Sequence, residues 1–108
     1  MKEESLLIKA LGNSPKIRII DFFLDNKIFD FSKKEIIEGV GMSKTTFYKY
    51  FNELEELEMV KVSRTFGRTK LYELNKKNPI VKKLMEIDQK LMLEYVNKIK
   101  HGKIPVKF

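Results

Sequence analysis

The segment Gly41-Met42-Ser43-Lys44-Thr45-Thr46-Phe47-Tyr48-Lys49-Tyr50-Phe51 decides the reading of this 108-residue chain. Gly41 breaks a helix, because glycine adopts the left-handed backbone that closes a helical C-terminus without a Cβ penalty. Ser43 stands only two residues on, and a serine hydroxyl caps the free N–H groups that open a helix. Two helices joined by so tight a turn form a helix-turn-helix connection. The second helix is predicted from Lys44 to about Glu58, with Phe47, Tyr50 or Phe51, Leu54 and Leu57 on one face. Its other face carries Lys44, Thr45, Tyr48, Lys49 and Asn52.

Outward from this turn, the same rules place the remaining elements. Leu6, Leu7, Ala10 and Leu11 recur at helical spacing before Gly12 and Asn13. Ser14 and Pro15 are an N-cap and first helical residue, opening a helix to about Asp25 with Ile17, Ile20, Phe23 and Leu24 inward. Ile28 to Phe31 is a brief extended segment. Ser32 and Glu35 then form a Ser-x-x-Glu capping box for a short helix whose Ile36, Ile37 and Val40 face the core. Downstream, Val60 to Phe66 and Thr69 to Leu74 are β-rich runs joined at Gly67-Arg68, the signature of a hairpin. Asn78-Pro79 starts a last helix reaching about Lys100, closed by Gly102 before the tail Lys103 to Phe108. The fold class predicted is α+β and mostly helical, a winged helix-turn-helix followed by a long C-terminal helix. Residues 1–78 form the winged domain, and residues 79–108 a dimerisation helix and tail.

Four stretches resemble archaeal winged helix-turn-helix regulators related to the arsenical-repressor family. Leu11-Gly12-Asn13-Ser14-Pro15-Lys16-Ile17-Arg18-Ile19-Ile20 is similar to their opening, and Gly41 to Phe51 to their turn and recognition helix. Leu54-Glu55-Glu56-Leu57-Glu58-Met59-Val60 resembles their entry into the wing, and Gly67-Arg68-Thr69-Lys70-Leu71-Tyr72-Glu73-Leu74 their second wing strand. Four pieces in one order, over residues 11 to 75, imply a dimeric regulator of transcription that binds double-stranded DNA. Two positions depart from the pattern. Ile37 replaces a small residue four positions before the turn glycine, which implies helices packed farther apart or at another angle. Glu58 stands where the family commonly has glycine, so either a left-handed backbone there costs on the order of 1 kcal/mol or the helix end is built differently.

Charge distribution supports the same expectation. The chain carries a net +7, yet residues 1–42 are neutral and residues 43–59 net −2. Residues 60–78 hold +5 and residues 79–108 hold +4. Within the second helix Ser43, Lys44, Thr45, Thr46, Tyr48 and Lys49 come first and Glu53, Glu55, Glu56 and Glu58 last. This order opposes the helix dipole, which favours acids first and bases last, so local stability does not explain it. The early residues are read as groove and phosphate contacts. Arg64, Arg68 and Lys70 around Gly67, including two of the chain's three arginines, are read as wing contacts to the DNA backbone or minor groove.

The last helix has more apolar positions than one stripe. Ile80, Leu84, Ile87, Leu91 and Tyr95 form one line and Val81, Met85, Met92, Val96 and Ile99 the next. One face packs on its own domain and the other on a second copy, with Leu84, Ile87, Leu91, Met92, Tyr95 and Ile99 as the expected homodimer interface.

Other classes lose their residues. The chain has no Cys, and its single His101 reads as a cap in the last helical turn. No thiolate metal site, Gly-rich phosphate loop or nucleophile–base pair is present, so neither catalysis nor a cofactor is expected. No segment reaches the ~18 apolar residues of a membrane span, and Met1 to Leu11 lacks the pattern of a secretory signal, so a cytoplasmic protein without membrane partners is expected. No effector is assigned by the sequence. Two alternatives stand beside the regulator: a winged-helix module that binds protein through the same surface, and the tetracycline-repressor type, whose turn Gly41 to Phe51 also resembles. The latter continues into a large helical ligand domain that this length does not accommodate.

Overall fold

The structure is a computed structural model that describes residues 5–102; Met1 to Glu4 and the expected tail Lys103 to Phe108 lie outside the described residues. The elements follow as α1 (Leu6–Leu11), α2 (Pro15–Asp25), α3 (Lys33–Val40), α4 (Lys44–Glu56), β1 (Val60–Phe66), β2 (Thr69–Leu74) and α5 (Pro79–Lys100). The predicted caps are in place. Ser14 accepts the Ile17 N–H, Ser43 accepts the Thr46 N–H, and the Ser32–Glu35 capping box is complete in both directions. Gly41 closes α3 with φ +66°, the left-handed conformation that permits the turn into α4. Arg18 reaches across from α2 and donates to the Val40 carbonyl, satisfying an orphan acceptor at the end of α3 and fixing that helix against α2.

One hydrophobic core joins all elements. Leu7, Ile19, Phe23, Ile36, Phe47, Phe51 and Val81 are among its fully buried side chains. Phe47 stacks on Phe51 at 4.9 Å between ring centroids, and Phe51 meets Tyr72 edge-on at 5.0 Å, so α4 is seated on the root of the hairpin. Close approach of α2 and α3 depends on Gly39 rather than on the Ile37 position. The Phe22 ring lies so near Gly39 that a Cβ there would sit 2.2 Å from its edge, while Ile37 packs half-buried against the core.

The hairpin pairs antiparallel from Val60↔Leu74 to Phe66↔Thr69. Gly67 takes φ +56°, the positive value that a two-residue hairpin turn demands. Phe31 adds a single bridge to Tyr72, so the extended segment before α3 forms a rudimentary third strand. A register shift between Val62 and Arg64 leaves Ser63 as a bulge. Along β1 only Val60 is buried, so the distal hairpin projects from the body as a wing.

Helix α4 stops at Glu56 because Glu58 is left-handed, with φ +58°. It is the sole non-glycine residue with positive φ among the described residues. Asn75 donates to the Glu58 carbonyl at 2.8 Å, and Asn78 donates to the Leu57 and Glu58 carbonyls at 3.0 and 3.1 Å. These bonds hold the strained turn. Glu58→Gly should therefore raise stability by up to about 1 kcal/mol, strain relief exceeding the extra backbone entropy that glycine loses on folding. Glu58→Val should lower it. Urea denaturation of the two variants checks both signs.

The first turns of α5 complete the core rather than standing apart from it. Val81 is fully buried, and Leu84, Met85 and Leu91 pack partly buried against the core. Beyond Leu91 the helix runs about two and a half further turns, to Lys100.

Candidate nucleic-acid interface

The N-terminal half of α4 presents its predicted face to solvent. Phe47, Phe51 and Leu54 point into the core, which turns Thr45, Lys49 and Asn52 directly outward with Lys44 and Tyr48 flanking them. Tyr48 is 42% exposed. Ser43 and Thr46 play a different part: the Ser43 hydroxyl donates to Thr46 Oγ1 at 3.0 Å and accepts the Thr46 N–H at 3.2 Å. Their hydroxyls hold the first turn closed, so the outward polar row is Thr45, Lys49 and Asn52.

Two of the three carboxylates at the far end of α4 are structural ties, and the third, Glu56, is exposed. Glu53 pairs with Lys16 of α2 at 3.0 Å, and Glu55 with Lys33 of α3 at 3.7 Å. Among the described residues no carboxylate pairs with Lys44, Lys49, Arg68 or Lys70. The helix thus anchors with Glu53 and Glu55 and exposes Lys44 and Lys49.

The wing divides its cations. Arg64 is held by Asp30 through two bonds, Nε to Oδ2 at 2.9 Å and an Nη to Oδ1 at 3.2 Å, and its guanidinium lies 4.9 Å from the Phe66 ring. The Ser63 hydroxyl donates to the same carboxylate. Arg64 first and Ser63 next hold the Asp30 carboxyl below the usual aspartate range. Arg64 therefore braces the wing against the segment before α3, whereas Arg68 and Lys70 stand exposed at the tip.

Two lysines that sequence reasoning missed join this surface. A cleft of about 490 Å³ lies between the N-terminus of α3 and the wing, lined by Lys33, Lys34, Arg68, Lys70, Ser32 and Tyr72 among others. The Lys33 ammonium sits 5.3 Å from the Tyr48 ring, 5.6 Å from Phe51 and 5.5 Å from Tyr72, so it also ties α3 to α4 and β2. Lys33 and Lys34 open a helix whose dipole disfavours cations there, the same signal that marked α4. Wing tip, α3 N-terminus and α4 are linked in sequence by this cleft and by the Lys33–Tyr48 contact. Such an arrangement suits a polyanion: hydroxyl, amide and ammonium groups along an exposed helix, flanked by a basic slot.

The six expected interface residues of α5 fall into two sets. Leu84 and Leu91 pack against the protomer's own core. Ile87 and Met92 are exposed, at 41% and 54%, and Tyr95 and Ile99 are half-buried on the turns that outrun the core. Val96 and Leu93, also exposed, share those turns. No helix among the described residues is long and apolar enough to cross a membrane.

No protein-family model and no curated protein matches the sequence. Solved structures do. The crystal structure of AF1382 from Archaeoglobus fulgidus is 23% identical, with 74% of this chain and 90% of that chain covered and a TM-score of 0.56. Lactococcus lactis ZitR, solved in complex with DNA, is 18% identical over 79% of this chain and 60% of its own, with a TM-score of 0.54. The homodimeric winged helix-turn-helix DNA-binding domain of Mb0332 from Mycobacterium bovis, a possible ArsR-family transcriptional regulator, is 16% identical, with 95% and 85% covered and a TM-score of 0.54. At these identities the likeness shows the fold, a winged helix-turn-helix with a long C-terminal helix.

Proposed function

We propose that the chain is a sequence-specific, double-stranded DNA-binding regulator of transcription that acts as a homodimer. The observation that carries this reading is the polarity of α4, where Glu53 and Glu55 are tied to α2 and α3 while Lys44, Thr45 and Lys49 stand exposed at its N-terminal half without a carboxylate partner among the described residues. This N-terminal half enters the major groove, with Ser43 and Thr46 shaping its first turn. Arg68 and Lys70 of the wing, with Lys34 beside them, grip the flanking backbone; Arg64 orients the wing through Asp30, and Lys33 ties α3 to α4 through Glu55. Residues 1–78 and the first half of α5 serve DNA, and the free turns of α5, around Met92, Tyr95 and Ile99, pair with a second copy. The fold shared with ZitR bound to DNA and with homodimeric Mb0332 supports this reading. So does the resemblance to the arsenical-repressor-like regulators of archaea.

Salt dependence tests it. Taking Lys44, Lys49, Arg68 and Lys70 as phosphate contacts, a dimer makes about eight, and the slope of log affinity against log salt is expected near −7. Fluorescence anisotropy of a labelled duplex between 50 and 300 mM salt, roughly the range over which such contacts are released, measures it. Slopes shallower than about −2 contradict a footprint of this size, and absence of binding at low salt favours the protein-interaction module instead.

A further inference from the structure

A second cleft, of about 780 Å³, involves neither α4 nor the wing. It lies among α1, α2, the end of α3 and α5, with Phe22 and Met92 on its apolar side and Asp21, Asp25, Asp88 and Arg18 as its charged groups. Asp21 is 8% exposed, and its Oδ1 has no hydrogen-bond partner among the described residues. Asp25 follows one turn later on α2, and Asp88, 9% exposed, enters from α5. Three carboxylates thus line one cleft in a chain whose net charge is +7.

The nearby cations do not answer them. Arg18 directs its guanidinium at the Val40 carbonyl, and Lys27 lies near Asp88 without forming an ion pair. Burial first, then the Asp21 and Asp88 charges, push the Asp25 carboxyl above its ordinary range. Burial does the same at Asp88, against the pull of Lys27 and with a smaller push from Asp21. A buried carboxylate oxygen left without a donor is costly, and an arriving cation relieves it. A metal ion does not fit, since no three acidic or histidine side chains among the described residues are grouped to ligate one. The carboxylates are spread along the cleft, about one helical turn apart on α2 and across from α5, and Phe22 and Met92 offer an aliphatic body a surface.

We propose that this cleft binds an aliphatic diamine or polyamine, with ammonium groups at Asp21 and Asp25 on α2 and at Asp88 on α5. The ligand bridges α5 to the helix whose Arg18 caps α3 just before the Gly41 turn.

Calorimetric titration of the full chain with putrescine and with spermidine, at constant ionic strength and without DNA, tests the proposal independently of the DNA-binding reading. Saturable binding at one ligand per chain and a raised Tm are expected, with Mg²⁺ at matched charge producing neither. The Asp25→Asn/Asp88→Asn double variant should bind at least about tenfold more weakly, as loss of charge-assisted hydrogen bonds implies. Titration of the ¹⁵N-labelled wild-type chain, followed by amide shifts, should centre on Asp21, Asp25 and Asp88, a readout that needs no variant. No saturable binding, equal binding by the double variant, an equal response to Mg²⁺, or shifts centred on Glu55 and Glu56 would each overturn it.

Discussion

Conversion of Tyr95 and Ile99 to glutamate is expected to yield monomers and to weaken binding to a two-half-site duplex by about 10²- to 10⁴-fold, the range over which linked sites gain from effective concentration. These residues lie on turns of α5 beyond Leu91, the last of its side chains that pack against the core among the described residues, and they are only half-buried there, which leaves apolar surface for a second copy. A charge in a desolvated helical seam is costly, and two per protomer, doubled by symmetry, exceed what a marginal interface tolerates. The choice of position matters. Leu84→Glu or Leu91→Glu would disturb the protomer's own core as well, and loss of binding would then not distinguish assembly from folding. Sedimentation of the Tyr95→Glu/Ile99→Glu variant, with circular dichroism to confirm its helices, checks the state of assembly. Anisotropy on single and paired half-sites checks the coupling, and the variant should retain weak binding to the single site. A wild-type chain that sediments as a monomer at tens of micromolar, roughly the concentration at which a weak interface still assembles, contradicts the dimer.

The second large effect separates helix from wing. Lys49→Ala and Tyr48→Ala should each cost ~1 to 3 kcal/mol at the preferred sequence and change which bases are preferred, because both project from the α4 face turned away from the core. Arg68→Ala at the wing tip should instead weaken all duplexes by a similar factor and lower the salt slope by about one unit per wing engaged. If Arg68 enters the minor groove, its loss should fall more heavily on A-tract flanks than on G·C-rich ones. Arg64→Ala differs again. Its guanidinium is already spent on Asp30, so the variant should loosen the wing root and release Asp30, seen as faster amide exchange along β1. Unchanged affinity of Arg68→Ala for every duplex would remove the wing from the DNA-binding surface.

What the sequence made legible was local. Each N-cap serine, the Gly41 turn, the capping box and the Gly67 hairpin depend on residues within four positions of one another, and all are present as expected. The left-handed Glu58 is one of the two helix endings that the family pattern leaves open, and the asparagines that hold it lie 17 and 20 residues downstream. Contacts made across the chain were opaque. Arg64 read as a free wing cation because its partner Asp30 is 34 residues away in a segment with no pattern of its own. Lys33 and Lys34 gave a dipole signal on α3 that went unread beside the stronger one on α4, and only the folded hairpin brings Arg68 and Lys70 to them. Gly39 carried no periodic signal; its meaning lies in the Phe22 ring packed over it. The α5 stripe was visible as apolar excess, but periodicity could not say that Leu84 and Leu91 face inward while the surplus begins where the core ends. Asp21, Asp25 and Asp88 form no pattern in the sequence and meet only in the cleft that α1, α2 and α5 line together.

Selection of bound duplexes from a random DNA pool by the wild-type chain tests most directly whether α4 reads sequence as part of a dimer. A two-fold symmetric motif is expected, with half-site centres about 10 base pairs apart, one turn of the double helix, as two recognition helices related by a dimer axis require. Its information content should fall at the central positions of each half-site when Lys49→Ala replaces the wild type, and remain when Arg68→Ala does. A pool that emerges from successive rounds without an enriched motif, or with one unaltered by Lys49→Ala, would contradict a sequence-reading role for α4.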